Sequence, residues 1–395
     1  MFTLRARCQR SITALKTSTR RGVVAAIAAV AIASACDRGH QQASGDVDGN
    51  RVDIYARTRA GDLSATAERA RPLVYVPNSL GSSVSEIDPT TYTVVRTFHV
   101  GSLPQHVVPS YDLSRLWVLS NKAGTVTPID PHTGMHGRPI RVRDPYNMYY
   151  TPDGHAAMVV AEAEQRLDFR DPRTMRLVKS VPVDCKGINH LEFTIDQRYL
   201  IATCEFGGAL AKVDLVTDSV VGTLALGRGP AGESMPQDIR SSPDGRVFYV
   251  ADMVADGVWL IDPVAFHPIG FLSTGVGAHG IYPSRDGRLL YITNRGSHSI
   301  RGAPKGPGSV SVVDPSSQTV VANWPIPGGG SPDMGNVTAD GRELWVSGRF
   351  DDEVYVFDTR SGRLTHRIPV GREPHGLCVW PQPGSRSLGH TGNMR

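Results

Sequence analysis

A chain of 395 residues, 40% hydrophobic, with 41 glycines and 28 prolines, suits one large all-β domain. Its formal net charge of +4 comes from one end: six of the 42 basic residues lie in 1–35, where there is no acid, and the remaining 36 face 38 acidic residues, a net of −2. Beyond that end there is no overall charge bias toward nucleic acid or acidic lipid, although a local basic patch stays open.

Residues 1–36 read as an export signal. Arg5, Arg7, Arg10, Lys16, Arg20 and Arg21 precede the apolar run "GVVAAIAAVAIASA". That run is too short to span a bilayer comfortably and has the length of a signal core. Arg20-Arg21 reads either as a twin-arginine signal or as ordinary basic flanking residues. The run ends in Ala33-Ser34-Ala35-Cys36. Small residues before a cysteine resemble a bacterial lipobox, although Ala33 stands where leucine is usual. Lipidation of Cys36 is the expectation. Residues 37–70 are polar and read as a tether and lead-in.

From residue 71 the chain repeats. The first set, "RPLVYVPNSLGSSVSEIDP", holds strands that end in Ile-Asp-Pro. Six stretches then share a Gly/Pro-rich lead, an apolar-alternating run and a tight turn, as in "ESMPQDIRSSPDG" and "GVGAHGIYPSRDG". Each is followed by a second run such as "LLYITNR" and a third ending in Asp-Pro or a relative. The marking aspartates are Asp88, Asp130, Asp171, Asp214, Asp262, Asp314 and Asp358, spaced by 42, 41, 43, 48, 52 and 44 residues. Four short strands at such a period describe a β-propeller. There are seven first strands and seven sets of strands two to four. The first set lacks a first strand, and "EPHGLCVW" near the end has no set after it. The expectation is therefore a seven-bladed β-propeller over 71–381, closed by pairing the C-terminal strand with the N-terminal three, because an open ring would expose two sheet edges. Residues 382–395 read as a C-terminal tail.

Call the face where first strands begin the top. Long loops 226–237 and 294–309 then fall on the top, which marks it as the binding face. Two positions recur at the start of each first strand. They hold Gln105-His106, Tyr146-Asn147, Asn189-His190, Gln237-Asp238, His279-Gly280, Asp333-Met334 and His375-Gly376. Second-strand ends add Asn121, Glu162, Glu205, Asp252, Asn294, Arg295 and Arg349 to the same rim. The ligand-binding set read from this is His106, Asn147, His190, Asp238, His279, Asp333, His375, Arg295 and Arg349. Imidazole and carboxylate are metal ligands, and histidine also ligates haem iron. A solvated channel explains polar residues equally well. Strand alternation puts His106 and His190 one position off His279 and His375, so the four need not converge. On that parity, His279 and His375 are the pair expected to matter for a metal or haem. Asp351 and Asp352 read as solvated loop acids.

Cys185 and Cys204 fall at the same end of neighbouring strands, so a disulfide fits; two unpaired small residues is the alternative. Cys378 reads as a packed core residue. There is no Cys-x-x-Cys-His, Gly-x-Ser-x-Gly, His-Glu-x-x-His, Walker loop or dinucleotide fingerprint, and nothing nominates a nucleophile.

"LVYVPNS", "LLYITNR" and "LWVLSN", most of them following Pro-Asp-Gly-like turns, resemble the YVTN-type (YncE-like) propeller repeats of exported bacterial proteins. The resemblance covers residues 71–381. The broader group includes the cytochrome d1 haem domain and proteins of quinoprotein pathways. What it implies is a seven-bladed propeller outside the cytoplasm. Some relatives bind d1 haem through a channel histidine, and one binds DNA. The tryptophan docking motifs of quinoprotein enzymes are missing here, and fold alone does not assign activity. Two readings follow. One is a non-catalytic envelope protein that binds a partner protein or small ligand on its top face. The other is a redox or cofactor-handling propeller with a transition metal or d1-like haem at the channel mouth. Both place the chain in the periplasm or at the cell surface, held to the membrane by a lipid anchor only.

The anchor is directly testable. Cys36→Ser is expected to release the protein from the membrane fraction or to block its processing. Fractionation and migration identical to the parent would remove the lipoprotein reading.

Overall fold

In the computed structural model, residues 52–228 and 233–395 are described. The export signal, Cys36 and the first part of the tether lie outside the described residues, as does the middle of the 226–237 loop. The described chain forms seven four-stranded antiparallel sheets. In six of them the sheet order follows the chain order. The seventh sets Cys378–Trp380 against Leu73–Asn78, which in turn pairs with Ser83–Asp88 and then Thr93–His99. Leu73 lies opposite Trp380, Val74 opposite Val379 and Tyr75 opposite Cys378. The ring closes as the strand count requires. Helix is confined, among the described residues, to single turns at Ala67–Arg69 and Glu205–Gly207.

Local chemistry explains the repeat. Each marking aspartate folds its own turn. Asp88 Oδ1 accepts the Thr90 N–H at 2.8 Å, Asp214 that of Val216 at 2.8 Å and Asp314 that of Ser316 at 2.8 Å. A short carboxylate that captures the backbone two residues on is the usual way an aspartate initiates a turn. The Pro-Asp-Gly turns work similarly. Thr151, Ser242 and Ser284 hydroxyls each donate at 2.6 Å to Asp153, Asp244 and Asp286.

The three inner strands of each blade are nearly all buried, while the outermost is exposed along most of its length. Apolar side chains pack between neighbouring blades. One cluster joins Leu73, Tyr75, Cys378 and Trp380 to Val107, Leu116 and Val118. Another joins Val74, Val76, Leu377 and Val379 to Trp345, Val354 and Val356. The closing blade is therefore gripped on both sides.

Both ends of the described chain lie on the bottom face. Ile54 N–H donates to Pro243 O at 2.9 Å, and the Tyr55 hydroxyl to Ser241 O at 3.0 Å. The C-terminal segment turns back into the channel from that side. Tyr150 N–H donates to Leu388 O, and His390 N–H to Met148 O. Gly389 makes this approach feasible: its φ is +104°, and a Cβ there would lie 2.4 Å from Met148 O. His390, Thr391 and Asn393 are buried.

Cys185 and Cys204 are joined by a disulfide across the start of one blade, with a sequence separation of 19. Cys378 is a free, buried thiol, and burial pushes it well above its ordinary value. A loop of this size gives about 3 kcal/mol. The Cys185→Ser/Cys204→Ser double variant is expected to lose about that much in equilibrium urea unfolding. A midpoint unaffected by the substitutions and by reductant would show that the bond does not form.

Candidate functional site

The seven inner strands all begin near the axis, and their first residues meet there. Alternation alone does not place them, because the ladders are irregular at these positions. The strand Pro104–Pro109 shifts register between Pro104 and His106. Ile188–Phe193 shifts between Ile188 and Leu191, and Ala278–Pro283 between Ala278 and Ile281. A bulge re-aims the side chains beside it. His106 and His190 consequently lie beside His375 and His390, while Met334 packs into an interblade cluster; His106, His190, His279 and His375 are all at most 2% exposed.

Asp333 is the hub of the first set. Its Oδ1 accepts from Arg295 Nε at 2.9 Å and Nη2 at 2.5 Å, and sits 3.2 Å from His279 Nδ1. Its Oδ2 accepts from His375 Nδ1 at 2.6 Å and from Arg349 Nη1 at 3.5 Å. Arg295 also bonds His279 Nε2, and Arg349 bonds Glu373 at 2.7 Å. Burial alone would raise the Asp333 carboxyl. Arg295, then His279 and His375, outweigh it and hold the group well below the usual carboxylate range. Burial, then Arg349, lowers His375 to about 4. Burial, then Arg295, holds His279 well below its ordinary value.

The second set lies beside it. The Asn147 amide nitrogen is 3.2 Å from His190 Nδ1 and 3.0 Å from His390 Nδ1. His106 Nδ1 is 2.9 Å from Tyr146 O. Gly376 lets His106 in: a Cβ there would lie 2.2 Å from His106 Cδ2. Asp238 accepts from Ile239 N–H at 2.9 Å and Ile281 N–H at 3.0 Å and pairs with Arg240 at 3.1 Å. Burial, opposed by Arg240, raises its carboxyl to about 6. Desolvation depresses His106, His190 and His390 well below the ordinary imidazole value.

The expected preference for His279 and His375 at a metal is not what the geometry favours. Those two rings are committed to Asp333 and Arg295. Among the described residues, the three that offer one ligand atom each within 4.8 Å are His106, His190 and His390. His390 belongs to the tail, where no repeat marks it. Two further residues facing the tail were legible by alternation, two positions beyond His190 and Asp238. Glu192 accepts from Arg395 at 2.8 Å, and Arg240 pairs with Asp238. Asn121, Asp252 and Asn294 do not join the axis; they tie down top loops through Asp144, Trp259 and Ser309. Asp351 is not solvated. It accepts from the Ser331 and Tyr355 hydroxyls at 2.6 Å each, and its side chain is fully shielded.

A haem needs an open face beside its axial imidazole. None of the five channel histidines has one, and their rings pack 4.7–6.1 Å from one another. The residues present do not fit a d1-like haem in this arrangement. The open space on the top face lies elsewhere. A cleft of about 640 Å³ opens between two blades, among them Leu103, Lys122, Arg141, Arg143, Asp144 and Glu164.

The family model described as "YNCE-like beta-propeller" matches residues 54–383. No curated protein sequence matches. Among solved structures, a functionally unknown protein from Desulfotomaculum acetoxidans is 14% identical, with a TM-score of 0.64 over 79% of this chain and 100% of that one. The dihydro-haem d1 dehydrogenase NirN, in complex with DHE, is 16% identical, with a TM-score of 0.59 over 82% and 77%. Kuenenia stuttgartiensis hydrazine synthase is 18% identical, with a TM-score of 0.57 over 71% and 91%. At these identities the likeness is one of fold.

Glu162, on the rim, provides a pH test. Burial, then the Glu205 and Asp144 carboxyls, pushes it up to about 8. Between its ordinary value and about 8 the unfolded chain loses the proton and the folded chain keeps it. Stability contributed by this group is therefore lost as pH rises through that window. Glu162→Gln is expected to gain on the parent by up to about 1.4 kcal/mol per pH unit there. Urea unfolding at low and high ends of the window checks it; a margin independent of pH would show that Glu162 is ionised in the fold.

Proposed function

Because the chain belongs to the YncE-like β-propeller family, we propose that it is an exported, non-catalytic binding module of the cell envelope that uses its top face. The observation that carries this is the contrast between axis and rim. The axis is lined by buried side chains, most of them bonded to one another. The rim cleft is open, and it presents Lys122 and Arg141 exposed and, among the described residues, without an ion-pair partner. Arg143 in the same cleft pairs with Glu164. Two free cations beside an apolar floor of Leu103 and Val142 suit an acidic segment of a partner protein or a small anionic ligand.

The export reading draws support from the Cys185–Cys204 disulfide, since such bonds persist in oxidising compartments. A lipid on Cys36 would tether the propeller through the lead-in. That lead-in reaches the bottom face, where Ile54 bonds Pro243. The top face is then turned away from the membrane.

A photo-crosslinking amino acid at Lys122 or Arg141, in cells that make the protein, is expected to yield discrete adducts. The same probe at Arg246, exposed on a bottom turn, is the control. Lys122→Glu/Arg141→Glu should reduce adduct yield from a third top-face position, Ala163, by at least about tenfold, as reversal of rim charges slows encounter. Equal adducts from both faces, or none from the top, would overturn the reading.

A further inference from the structure

The five channel imidazoles are held in two ways. His375 bonds Asp333, and His279 bonds Arg295 through Nε2 while its Nδ1 lies 3.2 Å from Asp333 Oδ1 without a hydrogen bond. His106, His190 and His390 are fully buried, and each leaves its Nε2 without a hydrogen-bond partner among the described residues. One ring nitrogen from each lies within 4.8 Å of the other two. Leaving a buried polar atom unpaired costs about 1–3 kcal/mol. Three such atoms in one cluster are a heavy cost unless something binds them.

We propose that His106, His190 and His390 bind one late first-row transition-metal ion, and that this ion pins the C-terminal segment inside the channel. The donor set is three neutral imidazoles, which suits zinc, copper, nickel or cobalt. The ligands come from two blades and the tail, so one ion ties three parts of the chain together. The surrounding contacts are those a metal-bound histidine uses. His106 Nδ1 faces the Tyr146 carbonyl at 2.9 Å, which it reaches only as a donor. That tautomer leaves the Nε2 lone pair free for a metal. Asn147 serves the other two rings at once. A half-turn of its amide exchanges nitrogen and oxygen. Oδ1 then accepts from both Nδ1–H groups, and both Nε2 atoms are freed for ligation. The half-turn gives up the bond from Met148 N–H to Oδ1. Asp238, 3.8 Å from His190 Nδ1 and 3.8 Å from His390 Nε2, sets a carboxylate at the border of the cluster.

The inference stands apart from the top-face reading, and its test does not use a partner. Untagged protein is produced in medium containing zinc or copper, dialysed and assayed for metal by mass spectrometry. The wild type is expected to carry about one ion per chain, and His279→Gln to keep it. His106→Gln and His390→Gln are expected to lose it, because a lost ligand costs more than the ~10–100-fold of a lost outer-shell partner. Asn147→Asp supplies a carboxylate to both Nδ1–H groups and is expected to hold the ion more tightly against chelators. Glutamine keeps a hydrogen-bonding side chain, and circular dichroism checks that each variant folds. The wild type alone decides the matter if a variant does not. Its metal-loaded form should resist carboxypeptidase trimming of the tail longer than its chelator-stripped form. Sub-stoichiometric metal in the wild type, equal metal in His390→Gln, or equal trimming with and without metal would overturn the proposal.

Discussion

A row of seven sheets surrounds an axis only if its two free edges meet, and here they meet through a ladder of three residue pairs and a separate bridge from Asn78 to Pro374. Leu73, Val74 and Tyr75 lie against Trp380, Val379 and Cys378. The short ladder is reinforced on both sides. Leu73, Tyr75 and Trp380 belong to one interblade cluster and Val74 and Val379 to the next. His375 N–H also donates to Pro77 O at 3.0 Å, which sets the last inner strand in place above the ladder. These few backbone pairs are a modest interaction by themselves. Their weight comes from the fact that breaking them exposes two edges and two clusters together.

Closure forces the seven inner strands to start around a common axis, and this is why polar residues are buried there. A carboxylate taken out of water is costly unless it is paired and bonded. Asp333 meets that requirement with two guanidinium groups and two imidazoles. Asp238 meets it with Arg240 and two backbone N–H groups. Such a network specifies one arrangement, since each member is bonded to the next and a half-formed version leaves a charge unpaired. It also occupies the axis with side chains that are largely committed to one another.

The tail changes the character of the channel. Residues 384–395 form a small bonded loop against the strand Pro145–Tyr150, with Leu388 N–H donating to Asn393 O and Asn393 N–H to Gly389 O. Arg395 reaches Glu192 and lies over the Tyr55 ring, so the lead-in and the tail cover the bottom together. His390 is fully buried; Asn147 links it to His190, and its ring packs against those of His106 and His190.

What the amino-acid sequence determined by itself was everything with a local cause. Asp88 and its six counterparts fold turns within three residues, so their spacing reports the blade length. Counting first strands against later strands predicted the closing pair, because an unpaired edge is costly wherever it lies. The placement of Cys185 and Cys204 at the same end of neighbouring strands was legible too. Tertiary structure alone decided which side chains share the axis. Alternation predicts faces only for an unbroken ladder, and bulges at the start of the inner strands bring His106 and His190 in beside His279 and His375. It also decided that Asp351 is shielded and that His390 enters the channel. Neither has a period or a neighbour in sequence to announce it, since each depends on contacts with strands far away along the chain.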